Sequence, residues 1–237
     1  MPRPLALLIC LGLLFAASCG GDDDDSGGGS SGGGDAAAQA EQEAQPEQQQ
    51  EPCREVQAPA PRPDGGADKP SGELDPTRTY TALLKTSCGN ITVKLDQKTS
   101  PKTAASFASL VRQGFYDDTV FHRIVPGFVV QGGDPTGQGS GGPGYSVRDT
   151  PPADTAYTQG VVAMAKTEVE PPGTSGSQFY IVTAPDAGLP PDYAVLGEVV
   201  KGLDVALAIE QLGDPAGGGA GTPQRTVLLE KASLDES

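Results

Sequence analysis

The chain has 237 residues, enough for one domain plus appendages, and is rich in Gly (33) and Pro (22). Its formal net charge of −15 argues against a nucleic-acid partner, because phosphate binding needs a basic surface. His122 is the only histidine, which removes His-based triads, HExxH zinc sites and multi-histidine metal clusters, and the lack of Trp leaves little for base stacking.

Residues 1–18 read as a signal peptide: Arg3 gives a short positive start, and Leu5 to Phe15 is an apolar run too short to span a bilayer. Ala16-Ala17-Ser18-Cys19 follows. Small residues before a Cys resemble the lipobox of bacterial lipoproteins, although Ala16 stands where Leu is usual. That resemblance implies lipidation at Cys19 and a location on the extracytoplasmic face of the cell membrane. The alternative is an ordinary secretory peptide cut at an A-x-A-like site.

Residues 19–75 read as a disordered tether, first Gly/Ser/Asp-rich, then Gln/Glu/Ala-rich, then Pro-rich. Between residues 20 and 52 there are Asp and Glu residues but no Lys or Arg, which suits a self-repelling spacer. A flexible coil of roughly 55 residues would reach about 40 Å.

The folded domain is expected over 76–237. Tyr80–Thr86 and Ile91–Leu95 alternate apolar and polar residues, as half-buried strands do, around a Ser87–Asn90 turn. A helix should start at Ser100-Pro101 and stop at Gly114, burying Ala104, Phe107, Ala108 and Val111. A second should bury Val205, Ala208, Ile209 and Leu212 and stop at Gly213. Short apolar runs at 120–125, 128–130, 161–165, 179–182, 194–200 and 226–229 read as strands. Many short strands and two helices predict a mainly β domain, a barrel or sandwich with helices at its ends.

Gly137-Gln138-Gly139-Ser140-Gly141-Gly142 matches G-x-G-x-x-G, but no clear strand feeds it and Pro143 prevents a helix from following. It reads as a loop with unusual backbone angles, not a phosphate cradle. Cys53 and Cys88 remain once the signal region is gone, and two leftover cysteines in an oxidising compartment usually pair. The alternative is two unrelated thiols.

Phe121-His122-Arg123-Ile124-Val125-Pro126-Gly127-Phe128-Val129-Val130-Gln131-Gly132-Gly133-Asp134 offers a cation, an apolar ring and an amide on a strand-turn-strand unit. On the residues alone, Arg123 as a surface ion-pair group and Phe128 as core remain open. The segment closely resembles the cyclophilin signature. Met164-Ala165 with Ser175–Ala184, then Tyr193–Gly202, follow at the family's spacing, and Pro101-Lys102-Thr103 with Phe107 is similar to its first helix. The likeness covers about residues 78–235.

That resemblance implies a closed eight-stranded antiparallel β-barrel capped by two α-helices, and peptidyl-prolyl cis/trans isomerase activity. It implies Arg123 as the catalytic arginine, Phe128 as the floor of the proline pocket and Gln131 as the orienting amide. Ala165 and the backbone of Lys166 match the stretch that pairs with the peptide, Tyr180 and Leu189 match pocket residues, and His122, Val129 and Tyr193 join the substrate-binding set. The chain departs from the family at Val129 (a methionine-type wall elsewhere), Tyr193 (often His) and Gly188 (often Trp). Its Glu168–Gly173 loop is also about three residues longer. No metal or other cofactor is expected. The expected partners are proline-containing unfolded or exported polypeptides, met by a monomer. A catalytically weak peptide-binding chaperone on the same fold is the rival reading.

Overall fold

The computed structural model describes residues 53–237. The calls that fall before them, the 1–18 signal peptide, Cys19 and the first part of the tether, lie outside the described residues.

Strands β1 (Tyr80–Thr86) and β2 (Gly89–Leu95) form the first hairpin, paired Thr81↔Lys94 through Thr86↔Gly89. Their inward residues Ala82, Leu84, Ile91 and Val93 are fully buried, as the alternation demands. Helix α1 (Pro101–Arg112) follows. Its expected face, Ala104, Phe107, Ala108 and Val111, is buried, and Gly114 takes the left-handed conformation just past its end. Ser100 occupies the N-cap position, but its hydroxyl makes no capping bond. Asp149 does that work from a distant loop, accepting the Thr103 N–H at 2.7 Å.

Next come β3 (Thr119–Val120), β4 (Arg123–Val125), β5 (Val129–Gly132), β6 (Val147–Arg148), β7 (Val161–Met164), β8 (Thr174–Ser175), β9 (Phe179–Val182) and β10 (Val195–Lys201). Helix α2 (Leu203–Glu210), a 3-10 turn (Gly218–Ala220) and β11 (Leu228–Glu236) complete the chain. The second helix is shorter than the periodicity suggests, ending before Leu212.

The main sheet is antiparallel and curled, in the order β3-β11-β1-β2-β10-β7-β9-β5-β4; β6 and β8 pair separately. This corrects the expected closed cylinder of eight strands: the ladder has nine, and its outer members β3 and β4 share no ladder with each other. Phe121 and His122 interrupt a single run of chain there: β3 pairs with β11, extended by the Phe121 N–H to the Val227 carbonyl at 3.0 Å, β4 pairs with β5, and an isolated bridge joins Val120 to Asp134. Inside the curl, Phe107 of α1 meets Phe179 edge-on at 5.8 Å, and Tyr116 and Phe121 pack edge-on against the same ring.

Composition assigns residues 53–75 to the tether, but in the structure they are a strap laid on the domain. It has no helix or strand, yet its amides bond outward: Arg54 to the Ser87 carbonyl at 2.8 Å, Arg62 to Pro135 at 3.0 Å, Gly65 to Gly142 at 2.9 Å and Ala67 to Pro143 at 3.1 Å. Cys53, Ala67 and Leu74 pack against the core. Pro- and Gly-rich extended chain carries no periodicity, so these partners, all far away in sequence, are invisible to a pattern search.

Cys53 and Cys88 form a disulfide that clamps the start of the strap to the first hairpin, across a sequence separation of 35. Closing such a loop should stabilise the domain by about 3–4 kcal/mol in the chain-entropy model. The expected result is a denaturation midpoint that falls on reduction in the wild type. A Cys53→Ser/Cys88→Ser variant should already show the lowered midpoint and not respond to reductant.

Candidate active site

The centre of the site is a hairpin register. Strands β4 and β5 pair Arg123↔Gln131 and Val125↔Val129 around a turn at Pro126-Gly127-Phe128. Directly opposed residues of an antiparallel pair point to one face. The Arg123 Nη1–H accordingly meets the Gln131 Oε1 at 3.4 Å. Gln131 in turn donates through Nε2 to the Gln178 Oε1 at 3.0 Å, and Gln178 donates to the Gly141 carbonyl at 2.9 Å. This chain of amides fixes which end of Gln131 faces the arginine.

The other side of the guanidinium is held by the Gly-rich loop before β11. Nε and Nη2 of Arg123 both donate to the Gly219 carbonyl, at 3.3 and 3.0 Å. Neighbouring Gly221 has φ +67°, and a Cβ there would lie 2.8 Å from the Arg123 Cγ, so the loop can approach only because it lacks side chains. Partial burial lowers the Arg123 pKa from its ordinary value, with the Tyr193 phenol opposing. Arginine starts so high that it remains charged.

Phe128 follows the turn, with its ring centroid 5.9 Å from the Arg123 Cζ. Strand β9 continues the face: Gln131↔Tyr180 and Val129↔Val182 pair on one side, and Ala163↔Tyr180 on the other. Val129 and Tyr180 are buried here beside Tyr157 and Ala163, with Phe128, Ala165, Leu189 and Tyr193 half-buried against them. Tyr193 stacks edge-on against Tyr180 at 5.7 Å, and the Lys166 ammonium stands 5.4 Å from the Tyr193 ring. The Tyr180 hydroxyl is buried without a partner, and burial drives its pKa far above the usual phenol value. The Ala165 N–H is occupied by the Gln178 carbonyl at 2.9 Å. Gly188, at the rim, has φ +62° with open space where a side chain would stand.

The structure therefore brings together Arg123, Phe128, Val129, Gln131, Ala165, Lys166, Tyr180, Leu189 and Tyr193. His122 is different. Its ring lies beneath the 137–139 loop, where a Cβ on Gly139 would sit 3.4 Å from the His122 Cδ2. It faces a hollow shared with Ala58 of the strap, not the apolar cluster around Phe128.

Both His122 ring nitrogens are buried without a hydrogen-bond partner. Burial lowers the pKa, with Arg123 adding to that direction and Asp134 opposing it. A base whose folded pKa is depressed is neutral when folded and takes up a proton on unfolding. Its contribution to stability is present above the unfolded value of about 6.5 and falls as pH drops below it. Thermal midpoints should decline as pH falls below about 6.5, and His122→Gln should flatten that decline. An unchanged slope in the variant would refute the assignment.

Three supporting residues carry no sequence-derived role. Gln178 relays to Gln131. Tyr157 both donates to the Tyr193 carbonyl at 2.6 Å and accepts its N–H at 3.0 Å, with burial pushing the Tyr157 phenol up to about 12. Glu210, buried at the end of α2, accepts the Gly127 N–H at 2.5 Å and the Thr183 hydroxyl at 2.7 Å. Gln178 lies within the Ser175–Ala184 segment and is readable there in principle. The other two depend on contacts no local pattern encodes.

A family model described as "Cyclophilin type peptidyl-prolyl cis-trans isomerase/CLD" matches residues 81–233. The chain is 36% identical over 162 residues to "Peptidyl-prolyl cis-trans isomerase-like 1" of Gibberella zeae, covering 67% of this chain and 96% of that protein. It is 36% identical over 194 residues to "Probable peptidyl-prolyl cis-trans isomerase B" of Mycobacterium leprae, covering 71% and 64%. Among solved structures, it is similar to a Cryptosporidium parvum cyclophilin type peptidyl-prolyl cis-trans isomerase crystallised in the presence of the dipeptide Ala-Pro. The TM-score is 0.59 with 28% identity, over 65% of this chain and 98% of that one.

Proposed function

The chain belongs to the cyclophilin-type peptidyl-prolyl cis-trans isomerase family, and from that premise we propose that it accelerates X-Pro rotation in exported polypeptides, as a monomer held outside the cytoplasm by a lipid on Cys19. The observation that carries the catalytic reading is the Arg123–Gln131 pair at the edge of the apolar cluster formed around Phe128 and Tyr180.

An X-Pro bond turns over a barrier of about 18–20 kcal/mol because the amide is conjugated. Its cis and trans ends differ by only about 0.5–1 kcal/mol. The protein therefore needs only to favour the twisted state. Twisting gives the prolyl nitrogen a lone pair, which a fixed N–H can meet only then. Guanidinium has five N–H donors. Its bonds to Gln131 and Gly219 use one N–H on each of Nε, Nη1 and Nη2, leaving one on each terminal nitrogen for substrate. Phe128, Val129, Tyr180 and Leu189 offer the proline ring an apolar seat that excludes water and strengthens the donor. The reaction consumes no cofactor and passes through no covalent intermediate.

The anchor is supported by the small residues before Cys19 and the acidic, Gly-rich run after it. A protease-coupled proline-peptide assay tests the activity, and intact mass of the membrane fraction tests the anchor. We expect a diacylglyceryl-type mass increment on Cys19, abolished in Cys19→Ser. A mature wild type without acyl mass there would remove the anchor and leave the enzyme reading standing.

A further inference from the structure

A hollow of about 520 Å³ opens beside Gln131, between the 139–146 loop and Ala165–Thr167. A second, of about 720 Å³, continues from it, with Ser146 and Glu170 as common wall. One side of the second hollow is the strap, from Lys69 to Glu73; the other is Lys102 on the first turn of α1 and Arg148 on β6. The strap is thus the wall of a trough that begins at the reaction centre.

The charge in that trough opposes the rest of the molecule. Lys69 donates to the Ser146 carbonyl at 3.1 Å, and the Arg148 Nε to the Pro172 carbonyl at 2.9 Å. These bonds aim both cations without neutralising them. Among the described residues, Lys69, Lys102 and Arg148 belong to no ion pair. Carboxylates line the hollows too, and neutral donors leave their charge in place: Glu170 accepts the Thr167 N–H at 2.7 Å and its hydroxyl at 2.8 Å, Asp64 accepts the Gly142 N–H at 2.8 Å, and Glu73 stands exposed at the strap's edge. In a chain of net charge −15, a hollow whose wall sets Lys69, Lys102 and Arg148, none in an ion pair among the described residues, against Glu73 and Glu170 carries a local positive excess that favours anionic ligands.

We propose that this trough is a second subsite that takes an acidic stretch flanking the X-Pro bond of the same polypeptide substrate, with Lys69, Lys102 and Arg148 as its specificity-determining residues. The inference rests on the isomerase reading. Its substrate class is an extended peptide with Asp or Glu several residues from the proline, a distance that extended chain covers at about 3.3 Å per residue.

The test uses the full chain and a proline peptide extended by three Glu or three Gln on either flank. At low salt, Glu extension on one flank should lower KM about fivefold relative to Gln, as a few exposed charge contacts can. Added salt should erase the difference. A Lys69→Gln/Lys102→Gln/Arg148→Gln variant should lose it too, while turning over the unextended peptide within about twofold of wild type. Equal KM values for Glu and Gln peptides, or a preference that survives in the triple variant, would overturn the subsite. Fluorescence anisotropy of labelled peptides reads binding apart from turnover. If no peptide turns over, the isomerase reading fails, and anisotropy still decides the trough.

Discussion

Arg123→Ala is expected to lower kcat/KM by about 10²–10³, the usual cost of removing one transition-state donor, while leaving the fold intact. Arg123 is half-exposed and stands outside the core. Its partners, the Gly219 carbonyl and the Gln131 amide, lie where water can replace it, so stability should move by less than about 1 kcal/mol. KM should change little, because the apolar seat that holds the proline ring is untouched. Arg123→Lys sharpens the test. An ammonium keeps the charge but carries its three donors on one atom, so it does not reproduce the planar spread by which Nε and Nη2 meet Gly219, Nη1 meets Gln131, and further N–H groups face substrate. If charge alone sufficed, the lysine variant would retain most activity; a planar donor predicts that it falls nearly as far as alanine. Wild-type activity in Arg123→Ala would dismiss the mechanism.

The β4–β5 hairpin was legible because its information is local. Arg123 and Gln131 are eight residues apart around Pro126-Gly127, a separation that a turn converts into a directly opposed pair. The inward alternation of β1 and β2 and the buried face of α1 were legible for the same reason. What holds the arginine was not. Gly219 lies 96 residues from Arg123 and Gln178 lies 47 from Gln131, so only the completed fold brings them together. The strap was misread for a different cause. Composition reports how much apolar surface a segment can bury, but the 53–75 run is held by amides meeting loop carbonyls and by one disulfide. The count of strands differs because one apolar run, read as a single strand at 120–125, is split by Phe121 and His122 into β3 and β4, which pair with different neighbours.

Glu210 offers the second large effect, and it links stability to catalysis. A helix that buries Val205, Ala206 and Ile209 should put an apolar residue four after Ala206, but Glu210 is there, with only 7% of its surface exposed. A carboxyl group costs free energy in such a place unless its oxygens are matched. Its Oε1 takes the Gly127 N–H and the Thr183 hydroxyl, and the Thr183 N–H bonds back to the Phe128 carbonyl at 3.0 Å. Helix α2, the β4–β5 turn and the end of β9 are thereby tied at one atom, and the tied turn carries Phe128. Glu210→Ala leaves two donors unmatched and opens a void, which should cost about 2–4 kcal/mol of stability. The freed turn should let Phe128 drift, and displacement approaching 1 Å would lower kcat/KM by about tenfold or more. Glu210→Gln keeps an acceptor oxygen at the same reach, so it should recover most of both. Denaturant unfolding and the peptide assay, run on the two variants together, separate the possibilities. If Glu210→Ala loses stability but keeps full activity well below its unfolding midpoint, the carboxyl group is merely structural. If Glu210→Gln fails as badly as alanine, its negative charge matters and the acceptor geometry alone does not explain the tie.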